Sequence, residues 1–298
     1  METTGRAHGS RVPAILALLG TVFFWGLSFV ASKTILNAGV PPMTMVCIRF
    51  VVACVILFPL LRIREPSARL DRGSILAIVL SGFFGVTVYF FFESRGIKLT
   101  SASNASMIIA TVPIFTLLAE LIFFRGRISA LKAVGIALSV AGVYLVIQKA
   151  GDAGDLSNRL VGDALMLGAC LCWVIYNMLS RNLHARMSDL AITTYQNLAG
   201  TLFLIPLALS EHRQWVPLTP LVGLNLLYLA AFCSALGYFL YMYALSRLGP
   251  VTATPFVNLV PVVGVLGGII LLGETITLLQ LLGGAIIVCG VVLVTRRS

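Results

Sequence analysis

The chain has 298 residues, of which 59% are hydrophobic and 11% charged, with a formal net charge of +10. Soluble globular domains carry about 45–50% apolar and about 25% charged residues, and a mean hydropathy of +1.00 is more than a core can hide. This excludes a cytosolic enzyme, a secreted disulfide scaffold and a disordered regulator, and leaves a polytopic helical membrane protein: only helices and closed barrels satisfy backbone groups in hydrocarbon, and the apolar runs here are continuous rather than alternating.

A helix needs about 20 residues to cross about 30 Å of hydrocarbon. In chain order the candidate spans are Val12–Ser32, Thr44–Leu61 (interrupted by Arg49), Gly73–Phe92, Leu99–Ala119, Ala133–Gln148, Ala164–Ser180, Leu190–Ser210, Gln214–Ser246, Leu248–Gly273 and Thr275–Thr295. Ala133–Gln148 and Ala164–Ser180 reach full length if Lys132 and Asp163 sit at an interface. The first run lacks a small-residue cleavage site after it and reads as a retained helix. Ten spans are therefore expected, with both termini on one side. That side collects fourteen Lys and Arg residues, the four arginines of Arg62–Arg72 among them, against six on the other. The bias predicts cytoplasmic termini and a cell inner (plasma) membrane location. The positive charge is thus a topology signal, and no basic module with interleaved aromatics suggests nucleic acid.

All six cysteines fall inside predicted spans without CxxC spacing, and His8, His184 and His212 lie at loops or ends. No metal site or cofactor is expected; the cysteines read as small packing residues.

The chain aligns with itself at an offset of 148 residues. Gly20 pairs with Gly168, Trp25 with Trp173, Ser32 with Ser180, Phe91 with Phe239, Pro113 with Pro261, Gly135 with Gly283 and Gly142 with Gly290. Residues 1–150 and 151–298 thus read as two copies of one five-helix unit. Five spans is an odd number, so the second copy is inverted, which is the signature of secondary transporters with a site near the midplane between the halves. The copies are not equivalent: Gly26 and Ser28 of the first stand opposite Val174 and Tyr176 of the second.

Ten spans as five plus five, a Trp in the first helix of each half, a proline in the fourth, and the segments Gly96-Ile97-Lys98-Leu99-Thr100-Ser101-Ala102-Ser103-Asn104-Ala105 and Ala244-Leu245-Ser246-Arg247-Leu248-Gly249-Pro250-Val251 carry a resemblance. The chain resembles the drug/metabolite transporter (DMT) superfamily and its EamA-domain family, and is similar to YddG-type exporters of aromatic amino acids. The resemblance implies that spans one to four and six to nine surround a central cavity, with spans five and ten packed outside.

Trp25, Tyr89, Trp173, Tyr176, Tyr195 and Tyr238 are the aromatic candidates for that cavity, Trp25 and Trp173 lying more than two turns into their spans. Asn104, Asn177 and Asn258 join them, since amides are costly in hydrocarbon without a partner; Gln196 and Asn197 carry the same signal, and Ser28 is a cheaper polar candidate. Pro113 and Pro261 are expected to kink their helices and free the carbonyls of Ile109 and Val257. Arg49, the only basic residue within a span, and Glu93 are expected to pair as an outer gate. With no acid at the midplane, facilitative transport or exchange is favoured over strong proton coupling. The stretch Gly264–Gly268 contains GxxxG, which leaves monomer and homodimer open.

The reading is a membrane exporter of a small organic metabolite, amino acids including aromatic ones before others, working by alternating access. A broad-specificity drug or metabolite exporter of the same fold is the alternative. An integral-membrane enzyme on lipid-linked substrates would need convergent carboxylates, His or metal ligands that the spans do not offer.

Overall fold

The computed structural model describes residues 11–112, 114–116, 119, 130–148, 156–180, 183–248, 256 and 259–295. Pro113, Glu120, Val257 and Asn258 lie outside the described residues. The described chain is all helical. In order come α1 (Arg11–Asn37), α2 (Pro42–Arg64), α3 (Ile75–Gly82), a π-helical segment Phe83–Val88, α4 (Tyr89–Leu99), α5 (Ala102–Ile109), α6 (Ala130–Gln148), α7 (Leu156–Ser180), α8 (Asp189–Ser210), α9 (Pro220–Tyr228), a second π segment Leu229–Gly237, α10 (Tyr238–Leu248), α11 (Val260–Leu272) and α12 (Leu278–Thr295).

Among the described residues, six helical stretches are long and apolar enough to cross a membrane: Val12–Asn37, Pro42–Arg64, Arg72–Leu99, Leu156–Ala185, Asp189–Ser210 and Pro220–Leu248. Four shorter apolar helices, Ala102–Thr116, Ala133–Val146, Val260–Leu272 and Leu278–Gly290, accompany them. Large apolar side chains stand exposed along both kinds, Leu202 at 68% and Ile270 at 74% among them, as expected where the surrounding medium is hydrocarbon.

Packing interleaves the two halves of the chain. The first-half helices α1, α2, α4 and α6 pack along the second-half helices α11 and α10, α8, α7 and α12 respectively. Lipid removes the hydrophobic drive for such contacts, so close approach at small residues must supply it. A Cβ on Gly142 would come within 2.7 Å of the Gly283 carbonyl oxygen, and one on Gly283 within 2.8 Å of the Gly142 oxygen. The recurring glycines of α6 and α12 thus meet each other.

Helix starts are supplied with acceptors. Ser101, Ser188 and Thr219 cap α5, α8 and α9 through their hydroxyls. Two carboxylates reach across the bundle to do the same. Glu211, just past α8, accepts from Met43 N (3.2 Å), Thr44 N (2.8 Å) and Thr44 Oγ1 (3.0 Å) at the start of α2. Glu274, just past α11, accepts from Ala102 N (2.8 Å), Ser103 N (3.0 Å) and Ser103 Oγ (2.5 Å) at the start of α5. Each neutralises orphan amides at the positive end of a helix. Gly39 (φ +88°) turns the chain between α1 and α2, and Gly273 (φ +65°) ends α11 in the left-handed conformation that glycine adopts without strain.

The duplication recurs in the backbone. The π segments fall at the same place in both copies, Phe83–Val88 and Leu229–Gly237. The fourth helix of each half is also interrupted alike. Thr111 N bonds to the Ile108 oxygen while Ile114 N and Phe115 N bond to the Thr111 oxygen; Leu259, Phe256, Val262 and Val263 repeat that arrangement 148 residues later. This corrects the mid-helix reading of Pro261. The described helix starts at Val260, so Pro261 sits in its first turn, where no intrahelical bond is demanded of its missing N–H.

Candidate functional site

Where α1, α2, α4, α7, α10 and α11 converge, a cavity is lined by Trp25, Ser28, Phe29, Arg49, Tyr89, Phe90, Glu93, Ile109, Val112, Trp173, Tyr238 and Val260. Both halves contribute walls. Its free volume is about 40 Å³, room for a few waters. A wider groove of about 330 Å³ at the bundle surface, lined by Cys47, Ile48, Ile205, Leu209 and Trp215, contains no charged group and suits lipid chains better than a polar solute.

Aromatic rings pack on one another around the cavity. Trp25 meets Trp173 edge-on at 5.4 Å between centroids and lies 5.5 Å from Tyr238 and 5.3 Å from Tyr241. Tyr89 stands 5.4 Å from Trp173. Spacings of this kind suit edge-to-face and tilted ring contacts. The two π segments hold the rings by their polar ends: Trp25 Nε1 donates to the Cys233 oxygen (3.1 Å) and Tyr238 OH to the Gly85 oxygen (3.4 Å). Gly85 and Cys233 are equivalent positions of the two copies. A π turn frees such carbonyls from the regular ladder, and π segments concentrate at functional sites.

Gly85 and Gly26 are required for close approach. A Cβ on Gly85 would collide with the Tyr176 ring, 2.7 Å from its Cγ. One on Gly26 would lie 2.7 Å from Val263 Cγ1 and 3.1 Å from the Val260 oxygen, forcing α1 and α11 apart.

Two charges line the cavity. Arg49 donates through Nε to Ser234 Oγ (2.6 Å) and lays its guanidinium 4.5 Å from the Phe90 ring centroid. Glu93 accepts from Tyr89 OH at 3.0 Å. The expected Arg49–Glu93 pair is corrected here: no ion pair within 4 Å forms between them, because Ser234 and Phe90 hold the guanidinium while Tyr89 holds the carboxylate.

Of the remaining sequence candidates, Ser28 lines the cavity but spends its hydroxyl on the Trp25 oxygen (2.7 Å). Tyr176 is fully buried behind Trp173, ring centroids 5.0 Å apart. Its hydroxyl donates to Gln196 Oε1 (3.1 Å), whose Nε2 donates to Ser81 and Ser180 at 2.8 Å each. Asn177 bonds back to the Trp173 oxygen (3.0 Å). Asn104 lies apart, tied through Nδ2 to Asp163 Oδ1 (2.6 Å) and Thr100 Oγ1 (3.0 Å) near the end of α4. Asp163 itself is buried within α7, which begins eight residues before the predicted span. Tyr195 reaches the Ala68 oxygen (3.4 Å) at the loop beyond α2, away from the cavity.

Sequence reasoning missed Phe29, Phe90, Ile109, Val112, Val260 and Tyr241. Phe29 lies one turn beyond Trp25 on the same helix face, and Phe90 one turn before Glu93. Those spacings were the available signal.

A family model, the EamA-like transporter family, matches the chain twice, over residues 12–148 and 160–296. The chain belongs to the EamA-like transporter family. The matched stretches are displaced by the same offset as the repeat. Among the relatives of this EamA protein, a transporter of Archaeoglobus fulgidus is 30% identical over 97% of this chain and 99% of its own. A probable terminal-alkyne amino-acid exporter of Streptantibioticus cattleyicolor is 29% identical over 96% and 94%. A probable amino-acid metabolite efflux pump of Salmonella typhimurium is 29% identical over 94% of each chain. A crystal structure shares the fold with a TM-score of 0.68, covering 95% of this chain and 96% of that one at 17% identity. The protein is a membrane transporter of the DMT type, not an enzyme.

Proposed function

We propose that this EamA protein exports amino acids, aromatic ones included, by alternating access at the cavity between its repeats. In this reading ten helices cross the inner membrane as two inverted five-helix units (residues 1–150 and 151–298), and the Arg62–Arg72 loop keeps both termini cytoplasmic. Trp25, Ser28, Tyr89, Trp173 and Tyr238 contact substrate. Tyr176 and Asn177 support the wall from behind. The interrupted fourth helices, at Thr111 and Leu259, supply the bend. The free volume is small, so in this reading the rings turn aside for substrate.

The observation that carries the reading is a cavity walled by aromatic side chains of both repeats, with the Arg49 guanidinium and the Glu93 carboxylate in its lining. The amino-acid exporters among the relatives support the substrate class. The test is counterflow in proteoliposomes with labelled amino acids and sugars. A signal for phenylalanine or tryptophan and none for sugars is expected; absence of counterflow for every amino acid would refute the reading.

A further inference from the structure

Arg49 is 2% exposed and Glu93 6%, yet among the described residues each makes a single side-chain hydrogen bond. The guanidinium uses only Nε, toward Ser234, so its terminal nitrogens are unspent. The carboxylate has one oxygen on Tyr89 and the other without a donor. Among the described residues no other charged group lines the cavity. Buried charges need a partner or several hydrogen bonds to offset desolvation, and these two do not supply one another. What they lack must come from the cavity's contents.

Their spacing says what would fit. The guanidinium rests on Phe90, and Glu93 follows Phe90 by three residues on the same helix face. Both groups line one cavity, and cation and anion stand more than 4 Å apart. That gap is too wide for a direct bond and suits a small molecule carrying opposite charges on neighbouring atoms. Tyr89, Trp25 and Trp173 line the same cavity, and aromatic faces attract an ammonium. Phe29, Ile109, Val112 and Val260 add apolar surface to the lining.

We propose that Arg49 and Glu93 are the head-group subsites for a zwitterionic α-amino acid: Arg49 binds its carboxylate through both terminal nitrogens, Glu93 and the aromatic faces bind its ammonium, and an apolar or aromatic side chain fills the rest. The proposal rests on the amino-acid reading of this cavity and narrows it. Free amine and free carboxylate are both required. Amines, carboxylic acids and peptides, whose termini lie further apart, each leave one buried charge unpaired.

The test is competition against labelled L-phenylalanine or L-leucine counterflow in proteoliposomes, using L-phenylalaninamide, 3-phenylpropionate and diphenylalanine. In the wild-type protein each should compete at least about tenfold more weakly than L-phenylalanine, the scale of one lost charge-assisted hydrogen bond. Arg49→Gln should abolish the preference over the amide while keeping that over 3-phenylpropionate, and Glu93→Gln should do the reverse. This crossed pattern separates recognition from folding, and the wild-type series needs no variant at all. Equal competition by the amide or the acid in the wild-type protein, or monodisperse variants that lose both preferences together, overturns the proposal and leaves amino-acid export standing. Absence of amino-acid counterflow in the wild-type protein overturns both.

Discussion

Gly85→Ala is the sharpest probe of how the π segment shapes the cavity wall. The added methyl would lie 2.7 Å from Tyr176 Cγ and 3.0 Å from its Cε2, whereas carbon atoms pack at about 3.5–4.0 Å. The ring must retreat by about 1 Å, and it has nowhere free to go. It is fully buried, its hydroxyl is held by Gln196 at 3.1 Å, and Trp173 and Tyr238 lie 5.0 and 6.2 Å away. Overpacking of this kind costs about 1–3 kcal/mol, offset by the ~1 kcal/mol that alanine gains over glycine in a helix. The net expectation is a loss of up to ~2 kcal/mol, a fall in the thermal midpoint of several degrees, together with impaired transport as the Trp173 wall is displaced. Removing the ring should reverse the sign. In a Tyr176→Ala background, Gly85→Ala should be neutral or stabilising by up to ~1 kcal/mol. The assay is thermal unfolding of the four purified proteins in detergent at one scan rate, with counterflow measured in parallel. An equal loss in both backgrounds would refute the collision with Tyr176 as the reason for glycine at this position.

Other contacts make separate predictions. Glu211→Gln should lower stability by ~1.5–3 kcal/mol, read as a reduced thermal midpoint, because the carboxylate accepts three hydrogen bonds at the start of α2; an unchanged midpoint would contradict the capping role. Gln196→Leu should cost ~1–3 kcal/mol in the same assay, since it strips partners from Tyr176, Ser81 and Ser180. Gly283→Val should destabilise through the α6–α12 contact while leaving the substrate KM unchanged, because neither helix lines the cavity; a large KM change would show that the outer helix pair shapes the site.

Composition and the 148-residue offset carry the helical class and the duplication in plain view, because a Trp or Gly pair in register is hard to obtain by chance. The rotation of each helix is far less legible. One face meets lipid and the other meets protein, and both are apolar, so no amphipathic stripe marks the inward side. Trp25 and Trp173 could be recognised because bulky amphipathic rings deep in a span need a reason. Asn104, Tyr195 and Tyr176 carried the same polar signal but found partners elsewhere, in Asp163, the Ala68 carbonyl and Gln196. An amide announces that it needs a partner without saying which. The π segments had no signal of their own; only the glycine at position 85, explained by the Tyr176 ring against it, hinted at unusual backbone there.

The central claim is that the aromatic cavity between the repeats carries the substrate. The most direct measurement compares labelled phenylalanine counterflow by the wild-type protein, Trp173→Ala and Tyr195→Ala at matched reconstitution. The account predicts that Trp173→Ala raises KM or abolishes counterflow, whereas Tyr195→Ala, which is remote from the cavity, retains KM within about twofold, a change worth well under 1 kcal/mol. Wild-type counterflow by Trp173→Ala would contradict it.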